Sequence, residues 1–267
     1  MEYLGFFGAI IIGLTLGVLG GGGSILTVPI LVYLFSINTV LATAYSLFIV
    51  GFTSLIGSIQ YIKMGSIHWR TAIIFGIPSI ISVYLTRLFL IPIIPAQIFT
   101  IFGLVVTKSL LMLLLFAILM IMASFSMIRK EKETNESNLS AKIVYNYPLI
   151  LLEGSIVGLV TGLVGAGGGF LIIPALVLIT KLPMKVAIGT SLIIIAMKSL
   201  FGFIGDISGD TLIDWPFLLL FSAFAVLGIL IGAGLSKRIS AQKLKPAFGY
   251  FVLVMGVFII SKELFFS

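Results

Sequence analysis

Long apolar stretches separated by short polar segments run through the whole of the 267-residue chain. About 20 apolar residues in a helix cross a hydrocarbon core of roughly 30 Å. The pattern predicts transmembrane spans at residues 40–59, 71–86, 109–127, 186–204, 215–235 and 246–260. The run at 87–108 is broken by Pro92 and Pro95, so we expect it to lie partly at the membrane interface. The sequence therefore predicts an all-α polytopic membrane protein.

Two further apolar stretches are each interrupted by a glycine cluster. The clusters are Gly20-Gly21-Gly22-Gly23-Ser24, followed by Pro29, and Gly165-Ala166-Gly167-Gly168-Gly169, followed by Pro174. An unpaired backbone group in hydrocarbon costs several kcal/mol, so irregular backbone at membrane depth is tolerated only inside protein or beside a water-filled cavity. Glycine-interrupted segments at corresponding positions of two halves point to the binding site of a transporter.

The two clusters belong to an internal repeat with a shift of 145 residues and no gap over more than forty positions. The shift pairs Gly13 with Gly158, Gly17 with Gly162, Pro29 with Pro174, Ser46 with Ser191, Ser54 with Ser199, and Gly57 with Gly202. The only charged linker follows the first copy. We therefore divide the chain into a first membrane repeat at 1–128, a cytoplasmic linker at 129–146 and a second membrane repeat at 147–267.

Two topologies are compatible with these breaks. If each broken stretch crosses the membrane once, both halves have four spans and run parallel. If each is a re-entrant helical hairpin, both halves have three transmembrane helices and the second half is inverted. With the linker inside, the inverted arrangement places twelve of the sixteen Lys and Arg residues inside and the acidic loop 205–214 outside, as the positive-inside rule requires. We therefore predict two inverted-topology repeats, with both termini outside.

Composition excludes several other classes of protein. The chain is 60% hydrophobic and only 9% charged, whereas soluble domains carry about 25% charged residues. The net charge of +7 is explained by cytoplasmic loops, and we expect no nucleic-acid partner. There is no cysteine and a single histidine, His68; we therefore expect no disulfide, no metal site and no cofactor. The apolar N-terminus lacks a basic region and is predicted to be mature structure rather than a signal peptide.

Helix N-termini at the two breaks would suit an anion, because they present unpaired N–H groups and a partial positive charge. We expect half-helices starting near Ser24 and Gly169 to face each other at the bilayer midplane, flanked by hydroxyls. The predicted substrate-binding residues are Gly21, Gly22, Gly23, Ser24, Ser46, Ser54, Gly167, Gly168, Gly169, Thr190, Ser191, Lys198 and Ser199.

Each of these residues has a simpler structural explanation. Glycine clusters also serve close helix packing, and serines in spans commonly bond their own helix backbone. Lys198 lies within a predicted span, where charge is usually functional, but it could also extend to the membrane surface. Asp206 is interpreted as a cap or mouth residue, and Glu153 and His68 as interfacial groups.

The sequence resembles the TauE/SafE (TSUP) family of sulfite exporters. The resemblance is carried by Gly13-x3-Gly17-x2-Gly20 with the first glycine cluster, by Gly158-x3-Gly162-x2-Gly165 with the second, by Ala187-x-Gly189-Thr190-Ser191, and by the stretch from Phe116 to Met127. It covers nearly the whole chain. It implies transport of sulfite, thiosulfate or organosulfonates across the prokaryotic cytoplasmic membrane.

We therefore predict a secondary transporter of small sulfur-containing anions that works by alternating access around a midplane site. Its partners would be the anion, the lipid bilayer and a coupling ion, either a proton or sodium, which the sequence does not identify. An anion channel with the same site is the main alternative. An intramembrane enzyme is disfavoured, because the sequence offers no second membrane-embedded aspartate to form a dyad with Asp206.

Overall fold

The computed structural model describes residues 2–101, 104–128, 147–178, 180, 182–207, 212–236 and 241–265. The predicted linker at 129–146 lies outside these ranges. Within these ranges, six helical segments are sufficient in length and apolar composition to cross a membrane: Tyr3–Tyr33, Thr39–Lys63, Trp69–Ile93, Lys108–Phe125, Lys185–Ile207 and Trp215–Leu235. A shorter apolar helix covers Pro148–Val164. The prediction of an all-α polytopic membrane protein is confirmed.

The helices of the first half are α1 (Glu2–Leu19), α2 (Thr27–Tyr33), α3 (Thr39–Lys63), α4 (Trp69–Leu85), α5 (Ile91–Ile93) and α6 (Lys108–Ile128). A 3-10 segment (Gly20–Leu26) joins α1 to α2, and a π turn (Thr86–Leu90) joins α4 to α5. The second half contains α7 (Tyr147–Val164), α8 (Gly169–Leu178), α9 (Met184–Ile207), α10 (Trp215–Leu235) and α11 (Ala241–Phe265).

Polar side chains set the start of three spanning helices. Asn38 accepts a hydrogen bond from the Val40 N–H at the start of α3. His68 accepts from the Thr71 N–H at α4, and Asp214 accepts from the Phe217 N–H at α10. Each such cap satisfies one of the N–H groups that a helix leaves unpaired in its first turn.

The segment predicted to lie at the interface contains a β-hairpin, which is the one pair of strands in the part of the chain that the structure describes. Strand β1 (Gln97–Ile101) pairs antiparallel with β2 (Leu104–Thr107), with a register shift between Gln97 and Phe99. Pro95 favours extended backbone in the residue before it, and Ile94 is extended. β-Branched and aromatic residues then favour strands.

The first broken stretch is a helical hairpin rather than a straight span. A Cβ added to Gly8 in α1 would lie 2.9 Å from Cδ1 of Ile30 in α2, and one added to Gly5 would collide with the ring of Phe35. A Cβ on Gly23 would lie 2.6 Å from the Ile12 carbonyl oxygen. Successive residues along α1 thus contact residues of decreasing number in the segment that follows the break. Helix α2 therefore runs antiparallel to α1.

A helix of each half packs against a helix of the other half through glycines at equivalent positions of the repeat. Gly13 and Gly17 of α1 pack against the backbone of α10; of their repeat equivalents in α7, Gly158 packs against the backbone of Ser79 in α4 and Gly162 against the Thr86 side chain in the π turn. Close approach of backbones through small residues is the usual way in which membrane helices associate. Since α10 and α4 are themselves repeat equivalents, this exchange is what a twofold relation between the halves produces.

Helices α3 and α9 are repeat equivalents and run antiparallel. The contacts join Leu47 with Gly202, Gly51 with Leu200, and Tyr61 with Gly189. Equivalent helices would be parallel if both halves crossed the membrane in the same sense. Their antiparallel contact supports the inverted arrangement that the charge distribution predicts.

Candidate functional site

The two glycine breaks meet backbone to backbone at the centre of the protein. A Cβ on Gly21 would collide with Cα of Gly169, and a Cβ on Gly169 would collide with Cα of Gly21. Gly20 has a φ of 68°, and Gly165, Gly167 and Gly168 have φ values of 73°, 63° and 63°. L-residues with side chains rarely adopt this region, whereas glycine does so freely. The clusters are therefore needed both for backbone conformation and for close approach.

The two breaks have different local structures. The second is an open turn at 165–168, and helix α8 begins at Gly169, as the sequence predicts. The first turns at Gly20 and continues at once as the 3-10 segment. Ser24 therefore lies within helical structure, where its Oγ donates to the Gly21 carbonyl over 2.7 Å. The first half-helix starts four residues earlier than predicted and is tightly wound.

Helix α9 passes along both breaks and places polar groups beside each. A Cβ on Gly20 would lie 3.1 Å from Oγ of Ser191, and one on Gly167 would lie 3.5 Å from Oγ of Ser199. Between them, a Cβ on Gly168 would lie 2.7 Å from Nζ of Lys198. The predicted residues of the second repeat are thus brought together around the glycine junction.

Three of the predicted serines carry buried hydroxyls without a hydrogen-bond partner among the described residues: Ser46, Ser54 and Ser199. The same is true of Thr27, Thr53 and Ser79, which sequence reasoning did not select. A buried polar group without a partner costs about 1–3 kcal/mol. Buried hydroxyls of this kind are candidates for contact with a polar ligand or with ordered water.

Other predicted hydroxyls are already engaged. Ser191 donates to the Ile188 carbonyl over 2.8 Å, which is the local backbone bond expected of a serine in a span. Thr190 Oγ1 accepts from the His68 N–H over 2.9 Å, so it ties α9 to the start of α4. The Ser191 donor is thus occupied, whereas the Thr190 hydroxyl acts as an acceptor that links two helices.

Lys198 does not reach the membrane surface. Its side chain is fully buried, and its ammonium donates to Oγ1 of Thr161 over 3.0 Å. Within the described residues, no carboxylate oxygen lies within the 4.0 Å ion-pair distance of this ammonium. A buried charge is normally paired, which makes Lys198 a candidate for contact with an anion.

A second buried cation was not selected from the sequence. Arg87, in the π turn, is 1% exposed, and its Nη1 lies 3.3 and 3.4 Å from the carboxylate oxygens of Asp206. Asp206 was predicted to be a mouth residue on an external loop, but α9 continues to Ile207 and buries its side chain. The available signal was an arginine within an apolar run, which marks a functional group in a membrane segment.

The remaining candidate side chains lie at the periphery. Trp69 and Trp215 are 53% and 44% exposed, and Glu153 is half-buried in α7. His68 caps α4 through its ring. Among the described residues, no group of three or more His, Cys, Asp or Glu side chains could hold a metal ion. The charged groups at the glycine junction therefore have no metal ligand set beside them.

Comparisons with known proteins agree on one family. The sequence model described as "Sulfite exporter TauE/SafE" matches residues 5–259. A "Probable membrane transporter protein" of Xylella fastidiosa (strain 9a5c) is 29% identical over 253 residues, which cover 94% of this chain and 91% of that protein.

Two further relatives come from distant organisms. "Probable membrane transporter protein YunE" of Bacillus subtilis (strain 168) is 27% identical over 286 residues, covering 96% and 97% of the two chains. "Probable membrane transporter protein MJ0441" of Methanocaldococcus jannaschii is 28% identical over 268 residues, covering 94% of each. No solved structure matches the chain.

Proposed function

The chain belongs to the sulfite exporter TauE/SafE family, and on that premise we propose that it is a secondary transporter of small sulfur-containing anions such as sulfite, thiosulfate or an organosulfonate. That it is a multi-pass membrane protein of a transporter family follows from the match and from its six apolar helical segments. The substrate, the site and the alternating-access mechanism are the proposal.

The observation that carries the proposal is the set of buried donors at the glycine junction. Lys198 lies beside Gly168 with no carboxylate partner among the described residues. Ser199 lies beside Gly167 with an unpartnered hydroxyl. Hydrogen bonds from an ionised donor are about twice as strong as neutral ones. An oxyanion bound here would complete the hydrogen bonding of groups that are otherwise buried at a cost.

The backbone adds to these donors. Helix α8 has ten residues and begins at Gly169, so its first N–H groups and its partial positive charge are directed at the junction. Glycines with positive φ in succession can form a concave set of N–H groups that binds anions. The residues proposed to contact the anion are Lys198, Ser199, Ser46 and Ser54 with the backbone of 167–169 and 21–23.

The proposed transport cycle depends on inverted repeats. The antiparallel contact of α3 with α9 and the exchange of α1 and α7 between halves support two repeats, at 1–128 and 147–267, related by an axis in the membrane plane. Rocking of one repeat against the other would expose the junction to each side in turn. By the positive-inside rule we place both termini outside the cytoplasmic membrane.

The test is exchange of labelled thiosulfate in proteoliposomes containing the purified full-length protein. A secondary transporter accelerates uptake when unlabelled thiosulfate is present inside, and the uptake saturates. A channel conducts without this counterflow, so its absence with flux retained would favour the channel. Absence of both flux and binding for sulfite, thiosulfate and taurine would contradict the proposal. Matched liposomes containing Lys198→Met protein should show little uptake.

A further inference from the structure

Arg87 and Asp206 form a buried ion pair that the proposed anion site does not use. Arg87 comes from the π turn after α4, and Asp206 from the last turn of α9. The pair is 119 residues apart in sequence. A π turn inside a helix is rare and is frequent at functional sites. Each charged group is shielded from water, with side-chain exposures of 0% and 7%.

The arginine is only partly satisfied by this pairing. Nη1 binds Asp206 and also donates to Oγ1 of Thr43 over 3.0 Å. The Nε and Nη2 atoms are buried and have no hydrogen-bond partner among the described residues. A guanidinium carries five N–H donors in a planar fork suited to two oxygens of one oxyanion. Arg87 thus retains unused donors, which a bidentate anion would satisfy.

These unused donors lie at the glycine junction. A Cβ on Gly165 would lie 2.6 Å from Nη2 of Arg87, while a Cβ on Gly168 would lie 2.7 Å from Nζ of Lys198. The turn at 165–168 therefore has a buried cation at each end. The two nitrogen atoms lie at nearly the same distance from the Cβ positions of the two glycines. An anion at this turn has two cations within reach along a single stretch of backbone.

We propose that the Arg87–Asp206 pair is a second binding point for the transported anion. Oxygen atoms of the anion replace the Asp206 carboxylate on Arg87, and the displaced carboxylate takes up a proton from water on the side from which the anion entered. The inference rests on the proposed transport of an oxyanion. It identifies the coupling ion as a proton that crosses with the anion.

The proton follows from the burial of Asp206. A carboxylate that loses its guanidinium partner in a buried position is strongly disfavoured as an ion, so it takes a proton instead. The charged groups that face it among the described residues are Arg87 on the π turn and, at longer range, Lys108 at the start of α6. Lys108 donates to the Ile91 carbonyl, so it does not replace Arg87 on Asp206. When the anion leaves on the other side, the proton is released and the ion pair forms again.

The experiment is calorimetric titration of thiosulfate into the purified full-length protein, in two buffers of different ionisation enthalpy near neutral pH. The comparison yields both the affinity and the number of protons taken up on binding. Thiosulfate is used because it is fully ionised near neutral pH, so that proton uptake comes from the protein. The wild-type protein should take up close to one proton for each bound anion.

Three variants separate the proposal from a purely structural ion pair. In Asp206→Asn the affinity should rise severalfold, because no carboxylate competes for Arg87, and proton uptake should disappear. In Arg87→Gln the affinity should fall at least tenfold. Glu153→Gln, which changes a half-buried carboxylate on α7, should alter neither quantity.

The outcomes that overturn the inference are specific. An Arg87→Gln protein that binds thiosulfate as tightly as wild type, or an Asp206→Asn protein that still takes up a proton, contradicts it; the second result would mean that a group other than Asp206 accepts the proton. If Asp206→Asn does not fold, the double variant Arg87→Gln/Asp206→Asn removes both charges and should bind weakly without proton uptake. Wild-type affinity in the double variant would equally contradict the inference. A wild-type protein that binds neither thiosulfate nor sulfite contradicts the proposed function itself.

Discussion

The two glycine breaks occupy equivalent positions of the repeat but have different chemical surroundings. Around the first break the nearest side chains are neutral: Thr15, Ser191, Ile188 and Ile173. Around the second break lie two buried cations, Arg87 and Lys198. The repeat equivalents of these cations are Gly232 and Thr53, so neither charge is duplicated. The repeat therefore accounts for the glycines of the junction, whereas its two cations, Arg87 from the first half and Lys198 from the second, have uncharged equivalents.

The same contrast holds at the far ends of α3 and α9. Asp206 of α9 is paired with Arg87, whereas its repeat equivalent is Tyr61 of α3. The Tyr61 hydroxyl donates to the Gly17 carbonyl over 2.9 Å and lies 3.3 Å from Oγ of Ser236. One end is thus tied by an ion pair and the other by neutral hydrogen bonds. Only the ionic end can respond directly to an arriving anion.

The largest effect is expected from the contact that both breaks share. Gly21→Val places a branched side chain against the Gly169 backbone, which cannot move away as a flexible side chain could. Overpacking of a well-packed interior typically costs about 1–3 kcal/mol and sometimes more. We expect thiosulfate exchange to be lost in proteoliposomes. Gly234→Ala is the control, because a Cβ there would have no atom within 4 Å. An equal loss of thiosulfate exchange in the control would show that the loss in Gly21→Val does not come from the contact with Gly169.

The second-largest effect is expected from the buried ammonium that lies beside only the second break. Lys198→Met removes a buried ammonium, and hydrogen bonds to charged groups contribute about 1.5–3 kcal/mol. Thiosulfate affinity should therefore fall roughly 10- to 100-fold. Thr53→Val removes, at the equivalent position of the first half, a buried neutral hydroxyl without a partner among the described residues, and should lower affinity by no more than about 10-fold. Equal losses in the two variants would show that the breaks contribute symmetrically.

A smaller effect is expected from the hydroxyls. Ser54→Ala and Ser199→Ala remove donors without a partner among the described residues, so each should weaken thiosulfate binding by about 2- to 10-fold. The melting temperature should stay constant or rise, because no existing hydrogen bond is lost. Ser24→Ala removes a hydroxyl that already donates to Gly21, and should lower stability without a comparable change in affinity. The opposite pattern would exclude the unpartnered serines from the site.

The smallest effect is expected at the Tyr61 end of α3, which is held by neutral hydrogen bonds. Tyr61→Phe removes one hydrogen-bonding hydroxyl and should lower the free energy of unfolding by about 1 kcal/mol, measured by thermal denaturation in detergent. Because this end carries no ion pair, proton uptake on thiosulfate binding should not change. A change in proton uptake would mean that a group at the Tyr61 end also changes its protonation when thiosulfate binds.

Both glycine breaks could be predicted from the sequence, whereas the pairing of Arg87 with Asp206 could not. Glycine spacing and the repeat located both breaks, because backbone that only glycine can adopt leaves a recognisable pattern. Loop charges supported the inverted arrangement, with which the contacts of α3 and α9 agree. Arg87 was not selected and Asp206 was interpreted as a cap or mouth residue, because the two are distant in sequence and have uncharged repeat equivalents, so only the fold brings them together. Which serines would lack partners was also beyond the sequence, since it depends on side-chain rotamers.

The most direct test of the central claim asks from which side each broken hairpin enters. The chain contains no cysteine, and an exposed residue follows each hairpin: Ser36 lies after α2, and Lys185 lies in the first turn of α9. Single variants Ser36→Cys and Lys185→Cys would be treated with a membrane-impermeant maleimide in intact cells and after permeabilisation. We predict that Ser36→Cys is labelled in intact cells and Lys185→Cys only after permeabilisation. Labelling of both from the same side would contradict two hairpins that arrive from opposite surfaces and meet at an anion site.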